Sequence, residues 1–201
     1  MSKVYLVRHG QTAWNVGEIF RGRADIPLDE TGKQEVHLAG KALKDETLHA
    51  IYSSPLSRSI ETAENIAKFH NIQVTPFDAI IDISYGEWEG LEKQEVKEKY
   101  PELHALWHHE PHKIKFPGGE SLEEVRSRAM KGLEDLLVRH KDENFVLVAH
   151  QYGVSNAFRL RLGDDCRTAP LPARQAAAVQ PRVLVLLRRR DRRGRGRDLA
   201  G

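Results

Sequence analysis

A chain of 201 residues has the length of one domain, or of one domain with a tail, and can bury a sizeable core. A lone cysteine, Cys166, excludes an internal disulfide, and no stretch approaches the roughly 18 apolar residues of a membrane helix; with no secretory pattern near residue 1, a soluble cytoplasmic protein is expected. Net charge is only +2, which excludes a strongly polycationic or polyanionic protein but hides an uneven distribution along the chain.

Residues 4–7 (VYLV) read as a short buried strand that runs straight into Arg8, His9 and Gly10. The segment LDETGKQEVHLAGKAL carries Val36, Leu38, Ala39, Ala42 and Leu43 near helical spacing, with Thr31 or Asp29 as its cap. HAIYSSP is a second strand ending in a turn. SRSIETAENIAKFH is a second helix, with Ile60, Ala63, Ile66 and Ala67 on one side and Phe69 at its flank. IQVTPFDAI is a third strand region, broken by Pro76. SLEEVRSRAMKGLEDLLVRH is a third long helix, and Ser121 three residues before Glu124 forms a capping box. FVLVAH is an apolar strand that ends in Ala149 and His150. Beyond it, QYGVSNAFRLRLG can form a helix and VLVLL at 183–187 a last strand, although its arginine-rich surroundings fit a strand poorly.

Composition changes along the way. Residues 1–156 hold 19 basic and 25 acidic residues, a net of −6; residues 157–201 hold 12 arginines, no lysine and 4 aspartates, a net of +8. All ten histidines precede residue 157. Two units are therefore expected: a domain over 1–156, and an atypical Arg/Ala/Pro-rich segment over 157–201 that either belongs to that domain or is disordered. A basic tail can bind nucleic acid. The joint loss of Lys, Glu and His reads better as an unrelated or frame-shifted segment, so nucleic acid is not expected as a partner.

Strands that alternate with helices argue for an α/β fold, a three-layer sandwich with a mostly parallel central sheet and helices on both faces. In open α/β sheets, ligands bind at the carboxyl ends of the strands. Those ends here carry Arg8 and His9, Arg58 just past the second strand, and His150. Arginine offers a planar fork of donors suited to phosphate. Histidine serves as nucleophile, acid or base near neutral pH. Alone, each is most often a surface or structural residue. Together they describe a site where an imidazole attacks a phosphoryl group.

At these residues the chain resembles the histidine phosphatase superfamily, the phosphoglycerate mutase-like proteins. RHGQTAWN matches the Arg-His-Gly pattern, followed by Thr12 and Asn15. RGRADIPLDETGKQ, IYSSPLSRSIETAE, YGEWEG and FPGGESLEEV match in order, over about residues 3–150. The resemblance implies a phosphohistidine intermediate on His9 and a phosphate pocket of Arg8, Arg58 and His150, assisted by Asn15 and by the backbone N–H of Gln151. Arg8 and Arg58 are expected to depress the pKa of His9 by like charge, and its other ring nitrogen is expected to meet a backbone carbonyl, though the sequence does not name which. No metal or cofactor is required by that set of groups.

Relatives place a general acid, usually Glu, four residues before a Gly; here that position is Asp82, one methylene shorter. Glu87 and Glu89 lie nearby, with water-facing turn positions as their plainer interpretation. Only residues 91–117 separate the GEWEG and GGES regions, where mutases of the family carry a longer insertion; this favours a phosphatase over a phosphoglycerate mutase. EPHKIKFPGGESLEEV looks like the metal-independent phosphoserine phosphatases, which carry a His where this chain has Tyr85. Phosphoglycerate mutase activity as the runner-up, α-ribazole phosphatase activity, a broad phosphomonoesterase and a non-catalytic phosphate- or partner-binding member are the alternatives. Arg21 stands where many relatives are neutral and is a candidate for a second anionic group on the substrate.

HALWHHEPH places His104 and His108 one helical turn apart, with His109 and His112 near, a spacing that can hold zinc. Pro111 breaks the segment and no cysteine is close, so a helical flap with Trp107 packed inward is expected, and no metal. The expected partner is a small phosphorylated substrate, with no membrane; a homodimer is left open.

Overall fold

The computed structural model describes residues 3–150 and two further strands, at 166–168 and 183–187. In chain order the elements are β1 (Lys3–Arg8), α1 (Ala13–Val16), α2 (Glu30–Leu43), β2 (Ala50–Ser53), α3 (Ser57–Ala67), β3 (Val74–Pro76), α4 (Lys93–Lys99), α5 (Pro101–His109), α6 (Leu122–Arg139), β4 (Phe145–Ala149), β5 (Cys166–Thr168) and β6 (Val183–Leu187). One sheet takes the strands in the order β3-β2-β4-β1-β6-β5. Its first four strands are mutually parallel; β6 and β5 add on antiparallel.

Alternation along the strands sorts the core into two layers, because successive side chains point to opposite faces. Val4 and Leu6 of β1, Tyr52 of β2 and Phe145 and Leu147 of β4 pack on one face against Ala129, Leu133 and Leu136 of α6. Tyr5, Val7, Ile51, Val146 and Val148 pack on the other against Ala39 and Leu43 of α2 and Ala63 and Ile66 of α3. Both faces are covered, so β1 and β4 are apolar at nearly every position, as parallel strands buried on both sides must be. Each such side chain contributes about 1.5–3 kcal/mol when fully buried.

Local signals agree with this arrangement. Asp29 caps α2, its side chain accepting the N–H of Gly32, which decides between it and Thr31. Ser121 and Glu124 form the expected capping box on α6. VLVLL does form a strand, pairing with β1. The helix expected within 151–163 lies outside the described residues, as does the question of what most of the segment from 157 onward forms.

A third cluster sits beyond the carboxyl edge of the sheet. Ile83, Tyr85, Trp88, Val96, Ile114, Phe116 and Val125 are its buried members. Tyr85, Trp88 and Trp107 meet Phe116 edge-on, with ring centroids 4.9, 5.0 and 5.5 Å away. Trp107 of α5 thus packs inward, and the aromatic cluster braces the turn that follows Asp82. Among the described residues no helix is long and apolar enough to cross a membrane.

Candidate active site

Parallel pairing sets two histidines side by side. Arg8 of β1 is in register with Ala149 of β4, so the next residues, His9 and His150, leave the sheet together. The N–H of His9 donates to the carbonyl of Ala149 at 3.2 Å, and the ring centroids are 5.0 Å apart. On the far side of β4, β2 ends at Ser53, and the N–H of Ser54 donates to Val148 O at 2.9 Å. Helix α3 then starts at Ser57 and places Arg58 in its first turn. Exposure is 4 % for His9, 0 % for Arg58, 6 % for Asp82 and 1 % for His150. Four ionisable groups at one buried sheet edge are rarely there for stability alone.

His9 has one fixed tautomer. Its Nδ1 lies 2.7 Å from the carbonyl oxygen of Gly10, an acceptor only, so Nδ1 carries the proton and the lone pair is on Nε2. Gly10 is itself held through its N–H, on the preceding peptide, which donates to Thr62 Oγ1 at 3.3 Å, and the Thr62 hydroxyl donates to Arg58 O at 2.7 Å. A side chain at position 10 has no room, since a Cβ there would lie 2.6 Å from Gly32 O and 2.9 Å from Val36 Cγ1. Burial holds the His9 imidazole well below its usual pKa; like charge from Arg58, then from Arg8 and Arg21, adds to this, against the hydrogen bond to Gly10. The arginines act as expected, but burial is the largest single cause.

Arg58 is a fully buried cation with a fixed orientation. Nη1 donates to Ala24 O at 2.7 Å, and Nη2 donates to Gly22 O at 2.8 Å and to Asp82 Oδ2 at 3.3 Å. Its Nε is buried and has no hydrogen-bond partner among the described residues, and the same holds for Arg21 Nε. Buried donors of this kind cost free energy unless an acceptor satisfies them. An anion beside Arg21 and Arg58 would supply that acceptor, and both guanidiniums act on the Asp82 carboxyl. Burial raises the pKa of Asp82, opposed chiefly by Arg58 and by the Ile83 N–H that donates to Oδ1 at 2.9 Å. Burial likewise lowers His150, joined by His9 and Arg58. Its Nε2 lies 2.8 Å from Ser54 Oγ, and its Nδ1 3.3 Å from Asp82 Oδ2.

The structure thus brings His9, Arg58, Asp82 and His150 together, and the electrostatic effects of Arg8 and Arg21 on His9 include both in the group. Asn15, half-buried in α1, accepts from the N–H and the hydroxyl of Thr12, each at 2.9 Å, which commits its oxygen and leaves its amide NH2 as the donor end. Gln151 lies outside the described residues. Glu87 is exposed and accepts from the Tyr100 hydroxyl at 2.8 Å, as its plainer interpretation holds. Glu89 departs from that interpretation. It is half-buried, and its Oε1 accepts from Arg23 N at 3.1 Å and Tyr85 N at 3.0 Å. It staples the 21–25 loop to the turn after Asp82, against Gly22, whose φ of 51° and proximity to Glu89 admit no side chain. His104 and His108 lie with Nε2 atoms 3.2 Å apart on α5; among the described residues no group of three metal-ligating side chains forms.

Comparison with known proteins decides the family. The model of the histidine phosphatase superfamily (branch 1) matches residues 4–196. The chain belongs to the histidine phosphatase superfamily. It is 41% identical over 165 residues to phosphoserine phosphatase 1 of Hydrogenobacter thermophilus, covering 82% of this chain and 78% of that protein. To the metal-independent phosphoserine phosphatase of Arabidopsis thaliana it is 34% identical over 165 residues, covering 81% and 69%. Among solved structures, YhfR of Bacillus stearothermophilus superposes with a TM-score of 0.79 at 28% identity, covering 92% of this chain and 90% of that one. This histidine phosphatase is therefore a phosphatase enzyme with an α/β fold of the family.

Sequence reasoning missed several groups of this histidine phosphatase. Ser54, Ser59 and Thr62 are buried polar residues. Ser54 and Ser59 lie 2.8 and 3.4 Å from His150 Nε2, and Thr62 secures Gly10. A signal existed: SSPLSRSIET puts Arg58, Ser59 and Thr62 on one helical face, a polar face with no apolar reason to be buried. Glu120 and Arg128 have no such local signal.

Proposed function

We propose that this phosphatase hydrolyses a small phosphorylated metabolite, phosphoserine or a close analogue, through a phosphohistidine on His9. The observation that carries the reading is the His9 imidazole itself: neutral, with Nδ1 committed to Gly10 O and Nε2 left as the nucleophilic nitrogen beside three guanidiniums.

In the first step Nε2 of His9 attacks phosphorus and the P–O ester bond breaks. The Asp82 carboxyl gives its proton to the leaving alkoxide, a role that its raised pKa suits. Arg8, Arg58 and His150, with Asn15 and Gln151, hold the phosphoryl oxygens as charge redistributes among them. In the second step the Asp82 carboxylate takes a proton from water, the hydroxide oxygen bonds to phosphorus, and the N–P bond breaks to release inorganic phosphate and neutral His9. The sum is ester hydrolysis, with both catalytic groups restored.

Phosphoserine is favoured by the identity to a phosphoserine phosphatase over most of both chains and by Arg21, a third guanidinium suited to a substrate carboxylate. A rapid-quench experiment with substrate in excess tests the intermediate. A protein heavier by one phosphoryl group, present in the wild type and missing in His9→Ala, is expected. A wild-type-like adduct or turnover in His9→Ala overturns the reading.

A further inference from the structure

One half-buried network remains unused by this chemistry. Nη2 of Arg128 donates to the carbonyl oxygen of Asp82 at 3.1 Å, and Nη1 donates to Ala79 O at 2.9 Å. Nε and Nη2 also grip the Glu120 carboxylate, at 3.0 and 3.1 Å. Glu120 Oε2 accepts from Ser84 N at 3.0 Å, two residues beyond Asp82. Arg23 closes the frame: its Nη2 is 3.0 Å from Glu120 Oε1, and its Nε donates to Asp82 O at 3.4 Å. The segment 79–84 has no sheet ladder to hold it at Asp82; a 3-10 turn at Asp78–Ile80 precedes it. Aspartate has a short side chain, so the position of its carboxyl follows the position of its own peptide.

We propose that the Arg128–Glu120 pair is a positioning device for the Asp82 acid. This rests on the reading of Asp82 as the proton donor. The pair fixes the backbone on both sides of Asp82, through the carbonyls of Ala79 and Asp82 and the amide of Ser84, and so fixes where the carboxyl meets the leaving group. Arg23 ties the same frame to the loop whose Gly22 and Ala24 carbonyls orient Arg58. The acid and the phosphate clamp thereby share one scaffold. A guanidinium fork can serve two carbonyls and a carboxylate at once, which a single ammonium cannot.

The test compares an alkyl ester, phosphoserine, with an aryl ester, nitrophenyl phosphate, in the full chain. Arg128→Lys and Glu120→Gln are each expected to lower kcat for phosphoserine by about tenfold or more, as a misplaced catalytic group does. The aryl ester, whose leaving group hardly needs a proton, loses much less, and KM for both is retained. Placed in an Asp82→Asn background, neither substitution lowers phosphoserine turnover further. Equal losses on both esters, or losses that multiply with that of Asp82→Asn, overturn the proposal. If Arg128→Lys does not fold, Glu120→Gln, which keeps the side-chain volume, decides alone. An Asp82→Asn enzyme without selectivity between the esters removes the acid reading, and the proposal with it.

Discussion

Oδ2 of Asp82 and Nδ1 of His150 are 3.3 Å apart, and Arg58 Nη2 stands at the same distance from that oxygen. A carboxyl in this setting is pulled two ways: burial favours its proton, and Arg58 favours its charge. Asp82→Asn keeps the shape and removes the transferable proton. Alkyl-ester hydrolysis should fall by about 10²–10⁴-fold, the usual contribution of a general acid, and aryl-ester hydrolysis far less. Steady-state rates on the two ester types check this. Equal losses would leave Asp82 with a pocket-shaping role only.

Arg58→Ala should damage both ester types, because in the proposed mechanism it removes a clamp on the phosphoryl group. Its residual activity carries a second prediction. Arg58 depresses the pKa of His9 and also that of Asp82. Without it both values rise. The acid limb of the pH profile, where His9 loses its proton to become nucleophilic, moves to higher pH. The alkaline limb, where Asp82 loses the proton it must donate, moves in the same direction. A pH series of kcat/KM reads both limbs; limbs that stay in place, or move apart, contradict the assignment.

Thr62→Val is nearly isosteric but removes the acceptor for the Gly10 N–H, in a site where Thr62 is fully buried. Leaving that amide unpaired should cost about 1–3 kcal/mol of stability, read from denaturant unfolding. Turnover should fall as well, since the residue that loses its anchor, Gly10, carries the carbonyl that sets the His9 tautomer. A variant with wild-type stability and rate would show that the Gly10 peptide needs no anchor.

Arg21→Gln addresses substrate choice. If Arg21 meets a second anion, the variant should lose preference for phosphoserine over an uncharged alkyl phosphate of similar size, mostly in KM. A substrate panel measures this, and an unchanged preference returns Arg21 to the phosphate clamp or to the loop.

What the amino-acid pattern reveals, and what it conceals, follows from where each group gets its partner. Arg8, His9 and His150 follow apolar strands directly, so their convergence is readable from strand ends in a parallel sheet. Arg58 follows from the turn after β2. The apolar positions of α3 are harder: Ile60 is only half-buried, and the buried face includes Arg58, Ser59 and Thr62 instead, because the helix N-terminus borders the site rather than the core. Asp82 sits in an irregular segment where neither period applies, and resemblance alone singled it out. Glu120, Arg128 and Arg23 come from separate parts of the chain and meet only in the folded state. The acceptor for His9 Nδ1 is a backbone carbonyl, which no residue type announces.

The sheet order has a consequence for solubility. β1, which runs into His9, is flanked by β4 on one side and by β6 on the other. β6 belongs to the segment whose composition departs from the rest of the chain. A protein cut short before Val183 turns β1 into a sheet edge, with Lys3 to Val7 offering the hydrogen-bonding groups that now meet Leu187 to Val183. Unprotected apolar edges recruit strands from other molecules. The strand that leads into His9 would then also be the place where such a truncated protein begins to aggregate, so loss of residues 183–201 would remove protein from solution while every residue of the proposed chemistry within 1–150 is still in the chain.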